Sequence, residues 1–337
     1  MGKIKWLAVV LSLAIIGASL PLASCTGGGG EKVLNMYVAY GNPEIIAEAF
    51  EEETGIKVNF LPMSSGEVLT RIKAESANPQ TDIWFGGGSD AFLQAKEEGL
   101  IQAYVSPNAA NVNEYFKDAD GYWTAVSIVV VGFVVNTDRV ASKGLDVPAA
   151  WEDLIASGFN DEISSPDPNI SGTAYTMVSG ILQIMGEEAG WEFLDKFFAN
   201  IDYLEKSGST PPSKALQGEY CLGIAPDPHI TIMNNPGAAV TAVFPEDGVL
   251  AWPSPVAIVE GAKNLDSARK FVDWALSDDG QKVLMEASPR VPVTNVETIE
   301  GVPALADLNM AGYDYNYWGA ERTRVLADFN ARYPQYQ

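Results

Sequence analysis

From Lys32 onward the chain alternates short apolar runs with amphipathic ones, and this alternation restricts the fold more than any other feature of the sequence. "KVLNMYVAY" reads as a strand, and "NPEIIAEAFEEETG" follows as a helix. That helix has Asn42 as its N-cap, Pro43 at its first position and Gly55 at its C-terminal stop. Ile45, Ile46, Ala49 and Phe50 form its apolar face. "IKVNFLP" and "TDIWFGG" read as further strands. "SSGEVLTRIKAESAN" reads as a helix with Val68, Leu69 and Ile72 inward, and "SDAFLQAKEEG" as a helix capped by Ser89. Strands that alternate with helices of this length predict an α/β fold with mainly parallel sheets covered on both faces.

The middle of the chain has its own set: "IVVVGFVVNTD", a helix from Ser171, "EEAGWEFLDKFFANI", "YCLGIA" and "AVTAVF". Near the end a strand in "PSPVAIVEG" leads to a helix with Ala268, Phe271, Val272 and Ala275 on one face. Two such systems predict two α/β lobes. Ligands of open α/β sheets sit beyond the carboxyl ends of the strands. The cleft is therefore expected near Tyr40, Ser64–Ser65, Gly86–Ser89 and the turn at Ser171.

Charge narrows the partners. With 21 Lys+Arg against 44 Asp+Glu the formal charge is −23, which excludes nucleic acid and polybasic docking on anionic lipid, since both need clustered cations. The start, "MGKIKWLAVVLSLAIIGASLPLASC", has a basic end, an apolar run and a small-residue exit, the pattern of a secretory signal over residues 1–24. Leu22-Ala23-Ser24-Cys25 resembles a bacterial lipobox, which implies lipidation of Cys25 and anchoring to a membrane facing the periplasm or the cell surface. "TGGGGEK" then reads as a flexible tether over residues 25–31 with Cys25. Cys221 is the only other cysteine, so no intrachain disulfide is expected.

Six phrases in order carry a family resemblance: "FEEETGIKV", "TDIWFGGGSDAF", "GYWTAV…GFVVNTD", "SSPDPNISGTAYT", "KSGSTPPSKALQGEYCLGIA" and "EGAKNLDSARKFVDWALSDDGQKVL". They resemble the periplasmic substrate-binding proteins of ABC transporters, in the branch holding ferric-iron, 2-aminoethylphosphonate, thiamine and hexose-phosphate binders. The resemblance implies a two-lobed Venus-flytrap fold joined by hinge strands. One lobe would comprise 32–128 with 256–300, the other 129–255 with 301–337. It further implies a monomer that delivers a small ligand to a membrane permease, with no cofactor and no catalysis. Ferric-binding members use adjacent tyrosines after the strand that here reads "YCLGIA". This chain has Pro226-Asp227-Pro228-His229 there and no Tyr-Tyr pair anywhere, so iron is the weaker alternative. An exported hydrolase is weaker still. The sequence has no G-x-S-x-G elbow and no HExxH motif, and its single histidine cannot build a His-rich metal site.

Three stretches share one character: Ser64-Ser65-Gly66, Ser171-Gly172-Thr173 and Ser207-Gly208-Ser209. Each sets hydroxyls and a glycine at or just before a helix, where backbone N–H groups can converge on an anion. With Ser89 they form the expected anion end of the site, and a phosphate or phosphonate is the anion that suits them. Surface carboxylates beyond about 8 Å are largely screened at physiological salt, so an acidic protein can still hold a phosphate with neutral donors. The specificity end is expected at Tyr40, Asp227, His229, Glu246 and Trp252, with Tyr37 and Trp84 as further candidates for stacking. Hexose-phosphate binders hold sugar hydroxyls with a His-Asp pair and a Glu of a "PEEG"-like loop. The resemblance carries these roles to Asp227, His229 and the Glu246 of "FPEDG", although the Asp-Pro-His order here departs from the pattern.

Overall fold

The computed structural model describes residues 32–336; the expected secretory signal, Cys25 and the expected tether lie outside the described residues. The first half runs β1 (Val33–Val38), α1 (Pro43–Thr54), β2 (Lys57–Pro62), α2 (Ser65–Ala74), β3 (Ile83–Phe85), α3 (Ser89–Glu97), β4 (Ile101–Gln102), β5 (Thr124–Asn136), α4 (Thr137–Ser142) and β6 (Ile163–Pro166). Next come α5 (Gly172–Met185), α6 (Glu187–Ala199), β7 (Leu204–Glu205), α7 (Thr210–Leu216), β8 (Leu222–Pro226), α8 (Pro228–Asn234) and β9 (Val240–Val243). The chain ends with β10 (Leu250–Val259), α9 (Leu265–Ala275), α10 (Asp278–Ala287), β11 (Val291–Pro292), α11 (Tyr315–Ala320) and α12 (Arg322–Arg332).

The strands lie in the order β2-β1-β3-β10-β5-β8-β6-β7, with β4, β9 and β11 pairing from the side. At one end β2, β1 and β3 are parallel; at the other β7, β6 and β8 are parallel. Between these halves run β10 and β5, antiparallel to each other and to the flanking strands β3 and β8. The expected mainly parallel α/β lobes are thus present, joined by two long crossing strands.

Both crossing strands have the composition their place demands. All thirteen residues of β5 are buried, as befits a strand covered on both faces. β10 carries two prolines, which cannot donate to a ladder. Pro253 lies where β10 pairs with β5 alone, before the pairing with β3 begins at Val256, and the register shifts between Ser254 and Pro255, so a bulge falls at the second proline.

Helix ends follow local rules. Asn42 caps α1 through its side chain, and Gly55 closes it in the left-handed region. Ser64 and Glu67 form a reciprocal capping box on α2. One expectation is corrected at α3. Its N-cap is Gly88, which has no side chain to offer, and Ser89 is the first helical residue.

A single side chain ties α10 to the crossing strands. Buried Gln281 donates to the Val126 and Ala275 carbonyls at 2.9 and 2.7 Å and accepts from the Val293 N–H at 3.0 Å. Gln281→Leu fills similar volume but orphans three buried backbone groups. It is expected to cost about 2–4 kcal/mol in urea denaturation. A loss below about 0.5 kcal/mol would mean that the backbone finds other partners.

Candidate functional site

The serine turns and the carboxyl ends of the strands form three local groups. In the first, α2 and α3 begin side by side. Ser65 Oγ accepts from the Gly88 N–H at 3.1 Å. Gly87, with φ at 104°, lies so close that a Cβ would stand 1.9 Å from Ser65 Oγ, so only glycine fits. Buried Ser89 follows at the uncapped start of α3. Ser64 is exposed, and its hydroxyl donates to Glu67 Oε2 at 2.8 Å, while Gly66 is exposed beside it.

The second group centres on α5. Ser171 caps it, accepting from the Ala174 N–H at a long 3.5 Å, and its own N–H donates to the Asp167 carbonyl at 2.8 Å. Ser171 and Thr173 are buried, whereas Gly172 is exposed and faces open space. Gly208 closes on this turn from the neighbouring loop. A Cβ there would lie 2.9 Å from Thr173 Oγ1 and 3.2 Å from Ser171 Oγ. Ser207 and Ser209 are exposed and bond each other at 2.9 Å. Ser209 makes no side-chain cap on the two-turn α7.

The third group joins two expected residues, Tyr40 and Asp227, to three that the sequence reading did not single out, Ser127, Ser254 and Arg290. At the end of β8, Asp227 adopts φ 45°, its Oδ1 accepts from the Val130 N–H at 3.0 Å, and its own N–H donates to the Val130 carbonyl at 2.7 Å. Its Oδ2 stands 3.5 Å from Arg290 Nε. Arg290 also donates to Ser254 Oγ at 3.4 Å and lies 5.1 Å over the Tyr40 ring. Tyr40 is buried, and its hydroxyl reaches the Leu284 carbonyl. Burial pushes the Asp227 carboxyl up to about 6, against the opposing pull of Arg290 and the Val130 N–H. Ser127 is cross-strand to Ser254, and its buried hydroxyl has no partner among the described residues. Tyr40, Ser127, Asp227, Ser254 and Arg290 thus make a polar centre against the two crossing strands.

The other expected residues stand apart from these groups. His229 bonds the Pro289 carbonyl through Nε2 at 2.7 Å and lines an apolar cavity to which no serine turn contributes. Glu246 is exposed, and among the described residues it is held through its backbone, its N–H donating to the Ala149 carbonyl and its carbonyl accepting from the Asn309 side chain. Trp252 is half-buried on β10, opposite Val129. Trp84 is fully buried and stacked on Phe92, and Tyr37 is buried with its hydroxyl donating to Glu75 at 2.8 Å. Among the described residues, no group of three or more His, Cys, Asp or Glu side chains could hold a metal ion. No described helix is long and apolar enough to cross a membrane.

This architecture has known counterparts. The sequence profile of the bacterial extracellular solute-binding proteins matches residues 78–317, and the chain belongs to that family. It has the two-lobed type II periplasmic binding protein fold and is a periplasmic solute-binding protein of an ABC transporter, with a small molecule and an ABC permease as partners. Among its relatives is an uncharacterized protein of Haemophilus influenzae, 31% identical over 96% of this chain and 95% of that one. The periplasmic binding protein AfuA of Actinobacillus pleuropneumoniae, solved with exogenous fructose-6-phosphate bound, is 33% identical with a TM-score of 0.74, covering 90% of this chain and 99% of AfuA. Iron-bound HitA of Pseudomonas aeruginosa shares the fold at 18% identity and a TM-score of 0.74, covering 88% and 99% of the two chains.

Proposed function

We propose that this chain is a lipid-anchored receptor that captures a small organic phosphate or phosphonate between its lobes and hands it to its permease. The observation that carries this reading is the turn at α5. Two buried hydroxyls, Ser171 and Thr173, meet the close-set Gly208 at the start of a fourteen-residue helix. Such a helix start favours an anion through its free N–H groups and dipole. The fructose-6-phosphate bound by AfuA, a relative over most of the chain, supports the same class of ligand.

The anionic end would sit against the Ser171, Thr173 and Gly208 turn, with the Ser65–Gly88–Ser89 turn facing it from the other lobe. The remainder of the ligand would meet Asp227, Tyr40 and Arg290. A carboxylate there suits hydroxyls or an amine, because both donate hydrogen bonds. The lobes would divide at 128/129 and 255/256 within the crossing strands, so that contacts from both sides favour closure. Calorimetric titration with fructose 6-phosphate, 2-aminoethylphosphonate and fructose tests the reading. Binding of a phosphate or phosphonate compound but not of fructose is expected. Equal binding of fructose would remove the anion from the site.

Anchoring rests on Cys25 alone. Cys25→Ser is expected to leave a folded protein that fractionates away from membranes after export. Retention of the processed variant in the membrane fraction would refute the lipid anchor.

A further inference from the structure

Along one edge of the crossing strand β5, two strands meet head to head. β11 pairs with Ser127 and Ile128, and β8 with Val131–Val135, which leaves Val129 and Val130 between them. Each strand is anchored in its own half of the molecule. Before β11, the Asn42 N–H donates to the Ala287 carbonyl at 2.9 Å, and a Cβ on Gly41 would stand 2.5 Å from that oxygen. The end of α10 is thus seated on the start of α1, and Leu284 and Val291 pack with Leu34 and Ile46. After β8, a Cβ on Gly132 would stand 2.2 Å from the Val243 carbonyl oxygen and 3.1 Å from Pro228 Cγ, so β9 and the start of α8 both press on β5. Ile232 of α8 packs with a separate cluster, Ala215, Ala225 and Val240. Two side chains cross from one anchored part to the other. Asp227 Oδ2 faces Arg290 Nε at 3.5 Å, and His229 Nε2 lies 2.7 Å from the Pro289 carbonyl. A carbonyl can only accept, so Nε2 carries the ring proton and donates it. His229 is buried, which shields this bond from competing water.

We propose that His229 is a positioning residue, a clasp between the lobes whose bond to Pro289 holds Arg290 beside Asp227 and favours closure. The residue next to Pro289 is Arg290, so fixing the Pro289 carbonyl fixes the origin of the guanidinium that meets Asp227 and Ser254. When the lobes part, the α10–β11 link moves with α1 and His229 with α8, and the bond is lost. A bond made only in the closed state shifts the balance toward that state by its own free energy. The proposal rests on the division into lobes given above, but not on the identity of the ligand.

Glutamine and asparagine carry the same amide at different reach, and this separates the bond from mere packing. His229→Gln sets an N–H where the imidazole Nε2 stands, whereas His229→Asn is one methylene too short to meet the Pro289 carbonyl. His229→Leu keeps bulk without a donor and serves if His229→Asn folds poorly. Small-angle scattering without ligand should give wild type and His229→Gln the same radius of gyration, with His229→Asn and His229→Leu larger. Saturating fructose 6-phosphate should bring the expanded variants back to the wild-type radius. Calorimetry should show them binding it about tenfold more weakly, the loss of roughly one hydrogen bond, with His229→Gln unchanged. Equal radii in all four proteins, a His229→Gln that behaves as His229→Asn, or undiminished affinity in His229→Asn and His229→Leu would each overturn the proposal. An expansion that the ligand does not reverse would overturn it as well, since it marks a loosened fold and not an opened hinge. If fructose 6-phosphate binds none of the proteins, the phosphate reading fails and the ligand-free radii alone decide the clasp.

Discussion

Ser171→Ala is expected to weaken binding of a hexose phosphate about 10- to 150-fold. A hydrogen bond to a charged group contributes about 1.5–3 kcal/mol, and each 1.4 kcal/mol is about tenfold in affinity. The hydroxyl is available for this role, because its capping bond to the Ala174 N–H is a long 3.5 Å. Loss of the cap should cost the fold about 0.5–1 kcal/mol, toward the lower end for such changes. Ser64→Ala is the matching control. The Ser64 hydroxyl is already given to Glu67 in a capping box, so that variant should lose about 1 kcal/mol of stability and little affinity. Calorimetry with fructose 6-phosphate, alongside urea denaturation, separates the two effects. Unchanged affinity in Ser171→Ala, or an equal loss in both variants, would break the link between the α5 turn and the anion.

The contrast between these two serines also marks how far the sequence could be read. Asn42, Pro43, Gly55 and the Ser64–Glu67 box act on their own helix within a few residues, so a local pattern is enough to find them. The mainly parallel character of the sheet in each lobe follows from the same source, because alternating strands and helices leave few other ways to cover a sheet on both faces. Ser89 misled for a local reason. Gly88 can take the N-cap position without a side chain, which leaves Ser89 one place inside α3. Asp227 and Tyr40 were expected at the site, but Arg290, Ser127 and Ser254 beside them were out of reach for a different reason. Arg290 arrives on the link between α10 and β11, and Ser254 on a crossing strand, so their meeting depends on the tertiary fold. No periodicity in "EASPRVPV" announces an arginine beside a carboxylate. The exposed Glu246 shows the converse, since a motif position implied by resemblance fixes a place in the chain but not the direction of a side chain.

Asp227→Asn is expected to make the protein more stable at pH 7 by about 2–3 kcal/mol while leaving stability near pH 4 almost unchanged. The Asp227 carboxyl sits at about 6 in the folded state against 3.8 for an ordinary aspartate, chiefly through burial. Between these values the folded protein holds a proton that the unfolded chain has released. The contribution is fully present below pH 3.8 and is lost as pH rises through 6. A difference of about two units corresponds to roughly 3 kcal/mol over the whole range. Asparagine resembles the protonated acid, because its carbonyl can still accept from the Val130 N–H and it carries no charge near Arg290. The difference between wild type and variant therefore isolates this one titration from the many other carboxylates. Urea denaturation at pH 4, 5, 6 and 7 should show the two proteins together at pH 4 and diverging toward pH 7. Parallel curves would mean that Asp227 titrates normally. Ligand binding should move the opposite way. An ionised Asp227 accepts from a ligand hydroxyl or amine more strongly than asparagine does, so the variant should bind more weakly at pH 7. A carboxylate that lowers stability at neutral pH yet strengthens capture is explained by the ligand, whose donors replace the water that burial removed.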